Sequence, residues 1–131
     1  MDKYRYHKDG TLPEDEAILV FGSNLAGRHG AGCAVVARKR FGAVYGVGIG
    51  RTGRCYALPT KSENLRLLGM KRMQEFIQEF REHTKCNKHE TYFVTRVACG
   101  LAGYEDADIA PLFRGATRRC NFPIEWKEYL E

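Results

Sequence analysis

The stretch Ile18-Leu19-Val20-Phe21-Gly22-Ser23-Asn24-Leu25-Ala26-Gly27-Arg28-His29-Gly30-Ala31-Gly32-Cys33-Ala34-Val35-Val36-Ala37-Arg38-Lys39-Arg40-Phe41-Gly42 decides the fold. Its four opening apolar residues do not alternate with polar ones, which suits a strand covered on both faces at the centre of an α/β sheet. The strand is expected over about Ala17–Gly22. Gly27, Gly30 and Gly32 then allow a sharp turn and a close approach of backbone to a bound group. A helix starting at about Ala31 would put Ala34, Val35, Ala37 and Phe41 toward the core and Arg38 to Arg40 outward, with Gly42 suited to its C-terminus. Its free N–H groups and positive dipole end face back into the glycine loop, a natural seat for a phosphate or diphosphate. A nucleotide diphosphate is the ligand class this pattern points to.

Outward from that segment, Gly48-Ile49-Gly50-Arg51-Thr52-Gly53 spells G-x-G-x-x-G. The dinucleotide fingerprint requires a strand before the glycines and a helix after them. Here Arg54 to Pro59 reads as a strand stopped by proline, so a hairpin-like connection is expected instead. Leu65, Leu68, Met73, Phe76, Ile77 and Phe80 recur at helical spacing in a charged background. Thr91 to Ala98 is rich in β-branched and aromatic residues and reads as a strand. A second small-residue loop, Cys99-Gly100-Leu101-Ala102-Gly103-Tyr104, follows it. Glu105-Asp106-Ala107-Asp108 then opens a helix, with Pro111 in its first turn, and Trp126 anchors the C-terminus.

The chain is expected to form one α/β domain of 131 residues, with a polar lead-in over residues 1–16 and a core over 17–131. Apolar residues make up 44%, and no run reaches the roughly 20 residues of a membrane span. The polar N-terminus lacks the apolar stretch of a signal peptide, so a cytoplasmic protein is expected. The five cysteines are scattered without a C-x-x-C pair, which points to neither a disulfide framework nor a zinc site. His83 and His89 lack metal-ligand spacing, and no cofactor or metal is implied. The net charge of +5 comes from short basic groups that solvated helix faces explain. Binding of nucleic acid through a basic surface stays open, with no recognised motif behind it.

Two strand–glycine loop–helix units, both leaving carboxyl ends of strands, can converge on one ligand. Gly22-Ser23-Asn24 with the loop to Gly32, and Val97-Ala98-Cys99-Gly100-Leu101, resemble the two ligand loops of macro domains, which bind ADP-ribose. Within that superfamily the chain is most similar to the terminal ADP-ribose protein glycohydrolase branch. The resemblance is carried by Arg28-His29-Gly30-Ala31-Gly32-Cys33-Ala34-Val35, Lys39-Arg40-Phe41-Gly42, Tyr56-Ala57-Leu58-Pro59-Thr60-Lys61 and Glu63-Asn64-Leu65. Small phage and bacterial proteins with a Phe-Gly-Ser-Asn-Leu-Ala-Gly-Arg-His-Gly-Ala-Gly segment look similar. The likeness is one of pattern and covers roughly Ile18 to Phe113. It implies a three-layer α/β/α fold with a central mixed sheet.

The resemblance also implies roles. Asn24 would bond the distal ribose hydroxyls and Tyr104 would cover that ribose. Amides near Gly30, Ala31 and Gly32, and from Gly100 to Gly103, would hold the diphosphate, with Arg28, Cys99, Leu101 and Ala102 beside them. Lys61 matches the branch's lysine that attacks the anomeric carbon, a role open to an amine that has lost its proton. The branch's catalytic aspartate follows the Gly-Leu pair, where this chain has Ala102, and Ala31 stands about where many deacylating macro domains carry an aspartate. Asp106, at a charged helix start, and His29 are the remaining acid–base candidates. Two readings follow. One is a hydrolase acting on ADP-ribose derivatives, including ADP-ribosylated protein or nucleic acid. The other is a binder or sponge for ADP-ribose or a related NAD-derived signal.

Overall fold

Leu19 and Phe21 project to one side of the sheet and Ile18 and Val20 to the other, and all four are buried. That is the physical content of the unbroken apolar run: a strand with a core on each face. In the computed structural model, which describes residues 1–100 and 103–131, six strands and four helices follow in chain order. They are β1 (Arg5–His7), β2 (Ile18–Asn24), α1 (Gly32–Arg40), β3 (Gly50–Thr52), β4 (Cys55–Lys61), α2 (Met70–Cys86), β5 (Tyr92–Val94), α3 (Asp106–Ile109), β6 (Cys120–Pro123) and α4 (Lys127–Leu130). The sheet order is β1-β6-β5-β2-β4-β3. All neighbours are parallel except the β3–β4 edge pair, so the fold is α/β with a mixed sheet.

α1 covers one face, packing Ala34 and Ala37 with Phe41 against Leu19, Phe21, Ala57 and Phe93. α2 covers the other. Its Met73, Phe76, Ile77 and Phe80 join Ile18, Val20, Tyr56 and Leu58, and Trp126 lies fully buried in the same cluster. Among the described residues, no helix is long and apolar enough to cross a membrane.

Five local departures from the sequence reading have physical causes. β2 runs on through Ser23 and Asn24, because β4 accompanies it as far as Lys61. Pro59 does not stop β4. β3 pairs only with Cys55 to Ala57, so beyond that point no ladder on the β3 side needs the missing N–H. Leu65 and Leu68 precede α2 instead of belonging to it. Leu65 sits in a turn at φ 62°, where Ser62 accepts from the Leu65 N–H, and Gly69 starts the helix. The strand expected over Thr91–Ala98 ends at Val94, because Val97 N–H bonds back to Thr95 O at 2.7 Å and Ala98 takes φ 62°. The polar lead-in contributes an edge strand, β1, whose His7 ring stacks on Phe93 at 3.8 Å.

The G-x-G-x-x-G stretch forms β3 and a tight hairpin into β4, with Thr52 paired to Cys55 across Gly53-Arg54. No helix follows those glycines, so they form no dinucleotide fingerprint.

Candidate functional site

The parallel strands β2, β4 and β5 end at the same rim of the sheet, and a cleft of about 890 Å³ opens there. Residues from the loop after β2, from the end of β4 and from the loop after β5 all line it. The two glycine-rich loops therefore meet at one cavity. Of the residues singled out in the sequence, Asn24, Arg28, Gly30, Ala31, Cys99 and Gly100 lie in its wall, and so does Lys61. Leu101 and Ala102 lie outside the described residues.

The first loop is shaped by the Asn24 and Ser23 side chains and by close backbone packing. The Asn24 side chain closes it: Oδ1 accepts from Arg28 N–H at 3.0 Å, and Nδ2 donates to Arg28 O at 2.8 Å. A second glycine stretch clamps it from behind. Gly46 N–H donates to Gly27 O at 2.8 Å and Ser23 Oγ–H to Gly48 O at 2.5 Å. The fit leaves no space for side chains, since a Cβ on Gly27 would lie 2.2 Å from Gly46 C and one on Gly48 would lie 2.1 Å from Asn24 O. Gly48, the first glycine of the apparent fingerprint, thus acts as a packing partner of this loop, while Gly53 packs on Phe41 and Gly42. Ala31, in extended conformation, precedes α1 without a side-chain cap, and the helix has no acid in its first turn. Ala31, Cys33 and Ala34 at this helix start lie in the cleft wall, where Asp9 is the one carboxylate. Gly32 turns the chain at φ 58° and is outside the lining.

The second loop is held by charge. Arg96 donates from Nε to Asp106 Oδ1 at 2.7 Å and from Nη2 to Oδ2 at 2.6 Å, a two-pronged pair. Trp126 Nε1–H donates to the same Oδ1 at 2.8 Å. The Arg96 guanidinium holds the Asp106 carboxyl below the usual carboxylate range. Arg96 itself lines the cleft, and its Nη1 lies 3.6 Å from Asp9 Oδ2.

Besides Gly32, four candidates stand apart from the cleft wall. His29 is fully buried, with Nε2 at 3.2 Å from Val47 O and its ring edge-on to Phe21. Burial lowers its pKa, and the ring spans the two clamped glycine segments without lining the cavity. Asp106 borders a neighbouring hollow of about 470 Å³ that shares Arg96 and Gly100 with the cleft. Its oxygens are spent on Arg96 and Trp126, so it positions Arg96. Gly103 and Tyr104 border that hollow as well, and the Tyr104 hydroxyl is tied to Leu68 O at 2.7 Å.

The cleft's charges are Arg28, Lys61 and Arg96 against one carboxylate, Asp9. Among the described residues Lys61 Nζ has no hydrogen-bond or carboxylate partner. Burial pushes the thiols of Cys33 and Cys99 up to about 11 and about 12, so both stay protonated and neither is an activated nucleophile. The described residues contain no group of three or more His, Cys, Asp or Glu able to hold a metal ion.

Sequence reasoning missed Asp9, Tyr45 and Arg96. Arg96 carried a signal, being a charge inside an otherwise apolar strand-like run. Tyr45 stands at the cleft mouth 58% exposed, with the Arg38 guanidinium 5.7 Å from its ring centre. Asp9, in the polar lead-in, carried none. No protein-family model matches the chain, and no curated protein matches it.

Proposed function

We propose that the cleft binds ADP-ribose or a related NAD-derived nucleotide, on a three-layer, macro-domain-like α/β/α scaffold. The observation that carries this reading is the meeting of both glycine-rich loops at one cavity beside the uncapped N-terminus of α1. Backbone N–H groups of Gly30 to Cys33 are the donors for the diphosphate, since those of Gly100, Gly103 and Tyr104 are engaged within the second loop. Arg28 and Arg96 supply the opposite charge, three cations to one carboxylate counting Lys61. A volume of about 890 Å³ is ample for a dinucleotide-sized ligand. Asn24 keeps one Oδ1 lone pair and one Nδ2 hydrogen beyond its bonds to Arg28, enough to reach a ribose hydroxyl.

A second reading, hydrolysis of an ADP-ribosyl linkage, rests on Lys61. Its amine lines the cavity, half-buried and without a carboxylate partner among the described residues, and so is available to attack an anomeric carbon. Isothermal calorimetry with ADP-ribose, followed by chromatography of ligand recovered from an ADP-ribosylated substrate, separates the two. Heat with unchanged ligand supports the binder, and released ADP-ribose that disappears in Lys61→Ala supports the hydrolase. The absence of heat with ADP-ribose, NAD and their phosphorylated forms overturns both.

A further inference from the structure

The end of the sheet opposite the cleft carries a second concentration of charge. Arg5 opens β1, and Arg118 and Arg119 immediately precede β6. β1, β5 and β6 run parallel to β2, so these residues lie at the amino ends of the strands while the cleft lies beyond their carboxyl ends. Two hollows adjoin there through Arg119. One, of about 320 Å³, is walled by Arg81, Lys85, Lys88 and Arg119 with the Gly115–Thr117 turn, and has no carboxylate in its lining. The other, of about 190 Å³, includes Arg5, Arg118 and Arg119 with a single acid, Asp15.

The charges are only partly spent. Arg119 donates to the carbonyls of Thr84, Asn87 and Glu90 and so closes the carboxyl end of α2. Lys85 meets Glu82 at an exposed 3.3 Å, and Arg5 reaches Asp15 only at 3.9 Å. Among the described residues Arg81, Lys88 and Arg118 have no carboxylate partner, and Arg81 Nε is buried without any hydrogen-bond partner. A helix carboxyl end needs one or two cations, and Arg119 already serves it. The remainder forms a ridge of positive charge flanking two hollows, with few acids to attract a basic or neutral partner.

We infer that this basic end is a docking surface for the phosphodiester backbone of a nucleic acid, separate from the cleft. Its unpaired cations lie on either side of Arg119, so successive phosphates of a polymer engage them where a single small anion reaches only one hollow. Recognition is by charge on phosphates and carries no sequence preference. The inference does not depend on what the cleft binds. If the cleft takes an ADP-ribosyl group, this surface holds a nucleic-acid partner on the far side of the same molecule.

The test titrates the full chain into fluorescein-labelled 20-mer oligonucleotides, duplex and single-stranded, and follows anisotropy with and without saturating ADP-ribose. About three phosphate contacts predict a loss of roughly 40-fold in duplex affinity between 50 and 200 mM salt. The double variant K88E/R118E, altering two exposed side chains, should weaken binding by about tenfold or more at low salt and flatten the salt dependence. Its thermal midpoint should stay at the parent value. ADP-ribose should leave the complex intact. Binding to neither oligonucleotide at 50 mM salt overturns the inference, as does displacement by ADP-ribose or by millimolar inorganic phosphate at constant ionic strength. Undiminished binding by the folded double variant overturns it too.

Discussion

The loop after β2 and the loop after β5 face each other across the cleft, yet one is held by backbone packed on backbone and the other by an ion pair. Gly27 and Gly48 let two chain segments touch where a Cβ would collide. Arg96 and Asp106 reach across ten residues of sequence to fix the second loop, and Trp126 ties that pair to the C-terminal core. Steric restraint of the first kind is indifferent to salt, and acid reaches it only through His29, buried between the clamped segments. Electrostatic restraint of the second kind fails when a partner is lost or protonated, so the same cleft has one stiff wall and one conditional wall.

The largest effect is expected where the steric wall is broken. Gly27→Ala adds a methyl 2.2 Å from backbone, at φ 69° where an L side chain is already strained. It should cost about 3 kcal/mol or more in urea unfolding. Retention of parent stability would show that the clamped segments separate easily.

Next comes the conditional wall. Asp106→Ala leaves the half-buried Arg96 guanidinium with only the longer contact to Asp9 and leaves the Trp126 N–H without its acceptor. A loss of about 2 kcal/mol is expected, with a weaker response to ADP-ribose in calorimetry because Arg96 is no longer held. Asp106→Asn should recover part of the loss, since an amide oxygen still accepts from Trp126.

Acid sharpens the contrast by separating the two walls in pH. His29 is buried and its pKa is lowered, so the unfolded chain binds the proton more readily than the folded one. Its contribution is fully present above the ordinary value of 6.5 and is lost progressively as pH falls below it; His7 shifts in the same direction. Asp106, held low by Arg96, keeps its contribution above the ordinary 3.8 and loses it only in stronger acid. The thermal midpoint should therefore begin to fall below about pH 6.5, and His29→Phe should flatten that first decline while leaving the second in place.

The smallest effect concerns the turn itself. Ala98, buried at φ 62°, occupies a conformation that glycine adopts without strain. Ala98→Gly should change stability by less than about 1 kcal/mol, because relief of the turn is offset by the freer unfolded chain. A gain well above that in a urea titration would mean that the second loop stores more strain than its dihedral angles indicate.

How far the chain could be read depends on the range of the forces involved. β2, the loop to Gly32 and α1 were legible because burial on two faces and the need for glycine at tight turns leave marks on adjacent residues. The acids opening α3 were legible for the same reason, and there Glu105 and Asp108 form a reciprocal cap. The end of β5 was not legible: Val94 and Val97 look equally strand-like, and only the bond from Val97 N–H to Thr95 O turns the chain toward the cleft. The candidate site divides likewise. Asn24 could be named from its place at a strand end, and Arg28, Lys61 and Cys99 through the resemblance that their segments carry. Asp9 could not, since it arrives from an edge strand whose pairing with β6 lies more than a hundred residues away.

By itself the amino-acid order determined an α/β arrangement with two small-residue loops at strand ends, because apolar runs and glycines act over a few neighbours. Only the tertiary structure decided that both loops open onto one cavity and that His29 is walled in. It also turned Asp106 toward Arg96 and gathered scattered arginines and lysines at the opposite end of the sheet. Those outcomes depend on strand order and on pairings between distant residues, and contacts made through space leave no periodic trace along the chain.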